Sequence, residues 1–63
     1  MDKKLDCGSL PALIEDERKA VIEYNDLAKT TNCDVAKTVI HGIARDEQKH
    51  HDMLVELKAE FCK

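Results

Sequence analysis

The chain has 63 residues, of which 43% are hydrophobic and 37% charged, and its formal net charge is −3 at pH 7. It is too apolar for a disordered segment, and its apolar runs are far too short for a membrane-spanning helix. The ten Lys and Arg residues are scattered and there are only one tyrosine and one phenylalanine, so we expect neither a nucleic-acid partner nor a membrane. A domain of this size buries only about 60% of its unfolded surface, so a disulfide, a metal or a partner subunit is expected to stabilise it.

Residues 1–6 lack the apolar core of a signal peptide, which predicts a cytoplasmic protein. The three cysteines, Cys7, Cys33 and Cys62, are far apart and form no Cys-x-x-Cys pair. This spacing does not support a zinc knuckle, a rubredoxin-type centre or a thioredoxin-type motif. We therefore expect three reduced thiols, with a disulfide between Cys7 and Cys62 or between subunits as the alternative.

The first predicted helix covers about residues 10–30. Ser9 suits the N-cap position, and Pro11 falls in the first turn, where a proline costs no helical hydrogen bond. Apolar residues then recur at steps of three and four, which is typical of one helix face. They are Leu10, Leu13, Ile14, Ala20, Val21, Tyr24, Leu27 and Ala28. The turn-prone residues 29–34 end this pattern.

The second predicted helix covers about residues 34–61, with Asn32 or Asp34 as its cap. Its apolar residues again repeat at three and four. They are Ala36, Ile40, Ile43, Leu54, Leu57 and Phe61. Gly42 lies inside this helix, where it costs roughly 1 kcal/mol relative to alanine. It is either an exposed, tolerated glycine or a point of close helix approach.

The expected fold is all-α: two helices joined by a short connection form an antiparallel hairpin. Each helix carries one apolar stripe, and a single hairpin cannot cover both stripes. Two hairpins can, so the simplest complete structure is a homodimeric four-helix bundle with two-fold symmetry.

Three polar residues interrupt the stripes: Glu17 in the first helix, and Glu47 and His50 in the second. In a hairpin that turns near residue 32, positions whose numbers sum to about 64 lie level, so these three side chains share one layer. Buried carboxylates cost several kcal/mol unless they are paired, protonated or bound to metal. Carboxylates with imidazole suit iron or manganese, and a dimer would supply four glutamates and two histidines. These residues are therefore predicted metal ligands.

The segments 14–24 and 43–54, with Glu17, Tyr24 and the Glu47-x-x-His50 motif, resemble one half of a ferritin, bacterioferritin or rubrerythrin bundle. The resemblance covers residues 10 to 61 and looks especially rubrerythrin-like. It implies two iron ions per dimer, with manganese or zinc as alternatives, bridged by Glu47 and bound terminally by Glu17. Ala20 stands where rubrerythrins place a further glutamate, and the rubredoxin-type cysteine pairs are missing.

Other histidines and the tyrosine have alternative roles. Tyr24 either packs in the core or hydrogen-bonds to a ligating carboxylate. His51 is a competing ligand, since it lies four residues after Glu47, and His41 is expected on the surface. The resemblance implies an oxidoreductase that reacts with dioxygen or peroxide, as a ferroxidase or a peroxide-reducing protein. The alternatives are a non-catalytic helical dimerisation module and a redox-inactive metal-binding protein.

Overall fold

The computed structural model describes residues 6–62, which form two antiparallel α-helices. Helix α1 spans Leu10–Thr30 and helix α2 spans Asp34–Phe61, and a single 3-10 turn at Cys7–Ser9 precedes α1. Three residues, 31–33, connect the helices, and no strand occurs within residues 6–62. The prediction of an all-α helical hairpin is confirmed.

Both helix starts differ in detail from the predicted caps. Ser9 does stand at the N-cap of α1, but its hydroxyl donates to Asp6 Oδ2 at 2.7 Å instead of capping the helix. The N-cap of α2 is Cys33, so capping by Asn32 or Asp34 was a wrong prediction. The reason is local: the backbone of Cys33 is extended, and its carbonyl accepts the first helical hydrogen bond, from Lys37 N at 2.9 Å.

The interior of the hairpin is small. Only Leu10, Ala28 and Ala44 are buried among the described residues, and two of these three are alanines. The described part of the chain measures about 45 × 20 × 18 Å, and its cross-section contains only two helices. Several stripe residues are consequently exposed, since each helix has a single neighbour. Ala44, which the apolar pattern did not single out, lies where the two helices meet.

Gly42 does not mark a close approach of the helices. A Cβ atom added there would meet no heavy atom within 4 Å, and its backbone is helical. Of the two interpretations, the hairpin fits a tolerated glycine.

The two ends of the hairpin opposite the turn are joined by a disulfide between Cys7 and Cys62, whose Cα atoms are 5.7 Å apart. The expectation of three reduced thiols is therefore wrong for this pair, and only Cys33 is free and exposed. An antiparallel hairpin returns the end of α2 to the start of α1, which brings the two thiols together. In the chain-entropy model, closing a loop with a sequence separation of 55 contributes about 4 kcal/mol.

Neither helix, as far as residues 6–62 describe them, is long and apolar enough to cross a membrane. The cytoplasmic location stays a prediction. The Cys7–Cys62 disulfide argues against this location, because stable disulfides are typical of oxidising compartments.

Candidate metal centre

Three side chains that the sequence analysis selected as ligands meet between the helices. Glu17 is on the second turn of α1, and Glu47 and His50 lie one turn apart in the middle of α2. The i,i+3 spacing on α2 directs both side chains to the same side of the helix. Because the helices are antiparallel and turn at residues 31–33, Glu17 lies level with them.

The donor atoms of this cluster lie close together. One ligand atom from each of Glu17, Glu47 and His50 lies within 4.8 Å of the others. His50 Nδ1 is 3.9 Å from Glu17 Oε1 and 3.7 Å from Glu47 Oε1, too far for hydrogen bonds. Two donors that each lie about 2.1 Å from one ion are at most about 4.2 Å apart. Both measured separations are therefore compatible with a shared ion.

Burial distinguishes this cluster from acidic groups on a surface, which are common without a metal. The side chains of Glu17 and Glu47 are only 25% and 24% exposed. Glu17 Oε2 is completely buried and has no hydrogen-bond partner. Leaving a buried polar atom unpaired costs about 1–3 kcal/mol, and more when it is charged. A cation held at this point would compensate that cost, so the residues present fit a metal ion.

The two carboxyl groups also affect each other's ionisation. The pKa of Glu47 is raised, first because its protonated form hydrogen-bonds to Glu17, then because of partial burial and the negative charge of Glu17. His50 acts in the opposite direction, and Asp46 adds a further negative charge. Two carboxylates in one layer thus favour either a shared proton or a positive ion between them.

His50 differs from the two glutamates because its side chain is 54% exposed. By helical periodicity, at about 100° per residue, it lies at the edge of the helix contact and points to one open side of the hairpin. The cluster is therefore closed on the hairpin's inner side and accessible from the side of His50.

The other candidate residues lie outside the cluster. Tyr24 is half-buried beside an open depression with Ala20 and Leu27, and no hydrogen bond joins it to a carboxylate within residues 6–62. Its role near the ligands stays a prediction. His51 is 23% exposed and its Nδ1 lies 3.2 Å from Asp52 Oδ1, so it is engaged on its own helix. His41 is exposed, as expected.

The disulfide is the feature of this region that the sequence analysis did not favour. The signal that could have identified it was available, since 7 and 62 sum to 69 and so lie nearly level in the same hairpin register. The general expectation of reduced thiols outweighed that geometric one.

No protein-family model, no curated protein and no solved structure matches this chain. A small helical hairpin is not specific to one superfamily, so the resemblance to ferritin-like proteins stays a prediction. The positions, burial and chemistry of Glu17, Glu47 and His50 are what make this cluster a candidate metal centre.

Proposed function

We propose that this chain is one half of a non-haem dimetal carboxylate protein, in which two hairpins form a four-helix bundle around two metal ions. The observation that carries the proposal is the convergence of Glu17, Glu47 and His50 in one cluster, in which one oxygen of Glu17 is also buried without a hydrogen-bond partner. Glu17, Glu47 and His50 would hold the metal ions, in the ligand roles that the family resemblance implies.

A single hairpin provides too few ligands for this purpose. Three side chains supply three to five donor atoms, whereas two metal ions need at least four ligands each. A second copy would add the same three residues, and the four carboxylates would balance the charge of two divalent cations. Carboxylate with imidazole favours iron or manganese, with zinc as the redox-inactive alternative.

The exposed apolar residues support a second copy as the partner. Most of the large ones lie on the side to which His50 points, and we call this side the open face. On α2 they lie within about 60° of His50, and on α1 within about 80° of Glu17, in the same sense of rotation. The open face consists of Leu13, Leu27, Val35, Val39, Ile43, Met53 and Phe61. A partner that covers it would also cover the accessible side of the cluster.

This chain's residues would hold and enclose the metals. Glu17, Glu47 and His50 would bind them, and the half-buried Ile14 and Leu54, one turn away, would restrict the entry of water. Bound iron would supply one-electron chemistry toward dioxygen or peroxide, which is the activity that the family resemblance implies.

The first test is the metal content and thermal stability of protein purified without chelator. We expect about two metal ions per dimer. Binding at a concentration of about 100 times Kd stabilises a protein by about 2.7 kcal/mol, which corresponds to roughly 10–20 °C in Tm for a domain this small. A metal-free protein whose Tm does not respond to anaerobic Fe(II), Mn(II) or Zn(II) would contradict the proposal and favour a plain dimerisation module.

Single substitutions identify the ligands. His50→Ala and Glu47→Gln should each remove most of the metal-dependent rise in Tm. His41→Ala and Glu56→Gln are the matched controls, because both residues are exposed on α2 outside the cluster. Ferrous protein prepared without oxygen is then mixed with oxygen or with peroxide. A redox-active centre would show a spectral change, and a redox-inactive one would show none with either oxidant.

A further inference from the structure

Glu17, the ligand that α1 contributes, lies nearer to the disulfide end of the hairpin than to its turn. Glu17 is ten residues after Cys7 and fourteen before Thr31. At 1.5 Å per residue these separations are about 15 and 21 Å. Any movement that separates the helices at the disulfide end would therefore move Glu17 away from Glu47 and His50.

Few packing contacts oppose such a movement. Ala28 and Ala44 are buried on the turn side of the cluster, and Leu10 is the one buried residue between the cluster and the disulfide. Leu54 and Leu57, on the same part of α2, are only half-buried. Apart from Leu10, no fully buried side chain among residues 6–62 holds the helices together between the cluster and the disulfide.

The metal-free cluster itself favours separation of the helices. It places two carboxyl groups across the helix contact and leaves Glu17 Oε2 buried without a partner. Opening the hairpin at this level would let water reach that oxygen and would increase the distance between like charges. The Cys7–Cys62 bond opposes this opening, because it ties the start of α1 to the end of α2.

We propose that the Cys7–Cys62 disulfide is a positioning element for the metal centre, so that its reduction weakens metal binding. This inference rests on the proposed metal-binding function. Both sulfurs belong to half-buried residues that a small thiol can reach. In the reducing step a dithiol supplies two electrons and two protons: its own disulfide forms, the Cys7–Cys62 bond breaks, and two thiols result.

Thermodynamic linkage makes the effect reciprocal. If reduction weakens metal binding by some factor, bound metal must make the disulfide harder to reduce by the same factor. The two quantities are measured independently, so each tests the other.

The first experiment compares Cys33→Ser with the triple variant that also carries Cys7→Ser and Cys62→Ser. Removing Cys33 eliminates the exposed thiol from both proteins. Mn(II) is the probe, because it prefers oxygen and nitrogen donors, and binding is followed by electron paramagnetic resonance. We expect the triple variant to bind about 10- to 100-fold more weakly, the loss typical of removing a group that orients ligands.

The outcomes distinguish failure of the metal site from failure of the positioning role of the disulfide. Equal Mn(II) affinity in both proteins overturns the positioning role and leaves the metal site intact. Absence of binding in both overturns the metal site and the inference together. Circular dichroism at saturating Mn(II) must show the same helicity in both proteins. A triple variant that stays unfolded with Mn(II) overturns the positioning role, since the disulfide would then be a general requirement for folding.

The second experiment needs no variant of the bridge. The Cys33→Ser protein is equilibrated with increasing dithiothreitol, with and without Mn(II), and the fraction of reduced protein is measured by thiol alkylation. We expect Mn(II) to shift the equilibrium toward the disulfide by about 10-fold or more, equivalent to about 30 mV. An unchanged equilibrium under conditions where Mn(II) binds would contradict the inference.

Discussion

Charged residues are paired differently on the two sides of the hairpin. On the side opposite the open face, which we call the polar face, charges are paired with neighbours on their own helix. Arg18 donates to Glu15, and Gln48 Nε2 donates to Asp52 Oδ1 at 2.9 Å. At the edge of the open face, Glu17 and Glu47 meet across the two helices, and His50 Nδ1 lies 3.9 Å from Glu17 Oε1 and 3.7 Å from Glu47 Oε1, beyond hydrogen-bond distance. The pairs on the polar face each involve one helix, whereas the cluster depends on both helices and lies next to exposed apolar side chains.

The largest effect is expected from a charge placed on the open face. Ile43→Asp should disrupt the proposed dimer, because burying an uncompensated charge costs about 3 kcal/mol or more, equivalent to about a 100-fold rise in Kd. Sedimentation equilibrium measures the dissociation constant. Ile22→Asp is the matched control, since Ile22 has similar exposure but lies on the polar face. Equal dissociation of both variants, or of neither, would contradict the assignment of the dimer surface to the open face.

Gly42 lies beside the open face, so a substitution there tests how far the proposed interface extends. Gly42→Ala should stabilise the hairpin by about 1 kcal/mol, or roughly 4–8 °C in Tm, because its Cβ would meet nothing. Gly8→Ala is the contrasting variant and should gain little, since a Cβ there would lie 3.3 Å from Asp6 Oδ1. If Gly42→Ala instead weakened dimerisation, the partner would have to pack against this position.

The pH dependence should differ between the two sets of charges. The pKa of Glu47 is raised in the folded chain, so its contribution is complete below its ordinary value of 4.5 and is lost as pH rises through the raised pKa. The pKa values of Glu15 and Asp52 are lowered, by Arg18 and by His51 and Gln48, so their contributions are lost as pH falls.

Thermal unfolding of metal-free protein between about pH 4 and about pH 7 tests this sign. Relative to Glu47→Gln, which cannot ionise at this position, the parent should lose stability as the pH rises from 4.5. Glu56→Gln, an exposed neighbour on α2, should behave like the parent. Identical pH profiles for the parent and Glu47→Gln would show that Glu17 and Glu47 are not coupled.

The smallest effect is expected on the polar face. Arg18→Ala removes an ion pair with Glu15 whose two side chains are about half exposed, and such pairs contribute little. We expect the Tm and the dimer dissociation constant to remain within experimental error of the parent. A marked loss of dimer would mean that the polar face is also an interface.

Helical periodicity was enough to predict the all-α hairpin, since apolar steps of three and four are a strong signal over twenty residues. The register followed from the short turn, and it brought Glu17 level with Glu47 and His50. Which part of each stripe faces the neighbouring helix could not be read from the same pattern. Leu13 and Leu27 repeat as regularly as Leu10 and Ala28, yet they are exposed, because a hairpin covers only a narrow strip of each helix.

Details that depend on a few atoms were less predictable. The cap of α2 fell on Cys33, whose backbone is extended and whose N–H donates to Thr31 Oγ1 at 3.4 Å. Whether Cys7 and Cys62 are oxidised depends on redox conditions, and amino-acid composition predicts these only in general terms. The unpaired Glu17 Oε2, which carries most weight for the metal centre, is a consequence of side-chain packing and has no signature in the sequence.

The closeness of Cys7 and Cys62 has a consequence for the connectivity of the chain. Their Cα atoms are 5.7 Å apart, a distance that one or two residues can span at about 3.3–3.6 Å each. A circular permutant could therefore join α2 to α1 through a peptide link and begin in the turn at residues 31–33. Such a protein would present the same ligands in reversed helix order, and no reductant could release its closed end.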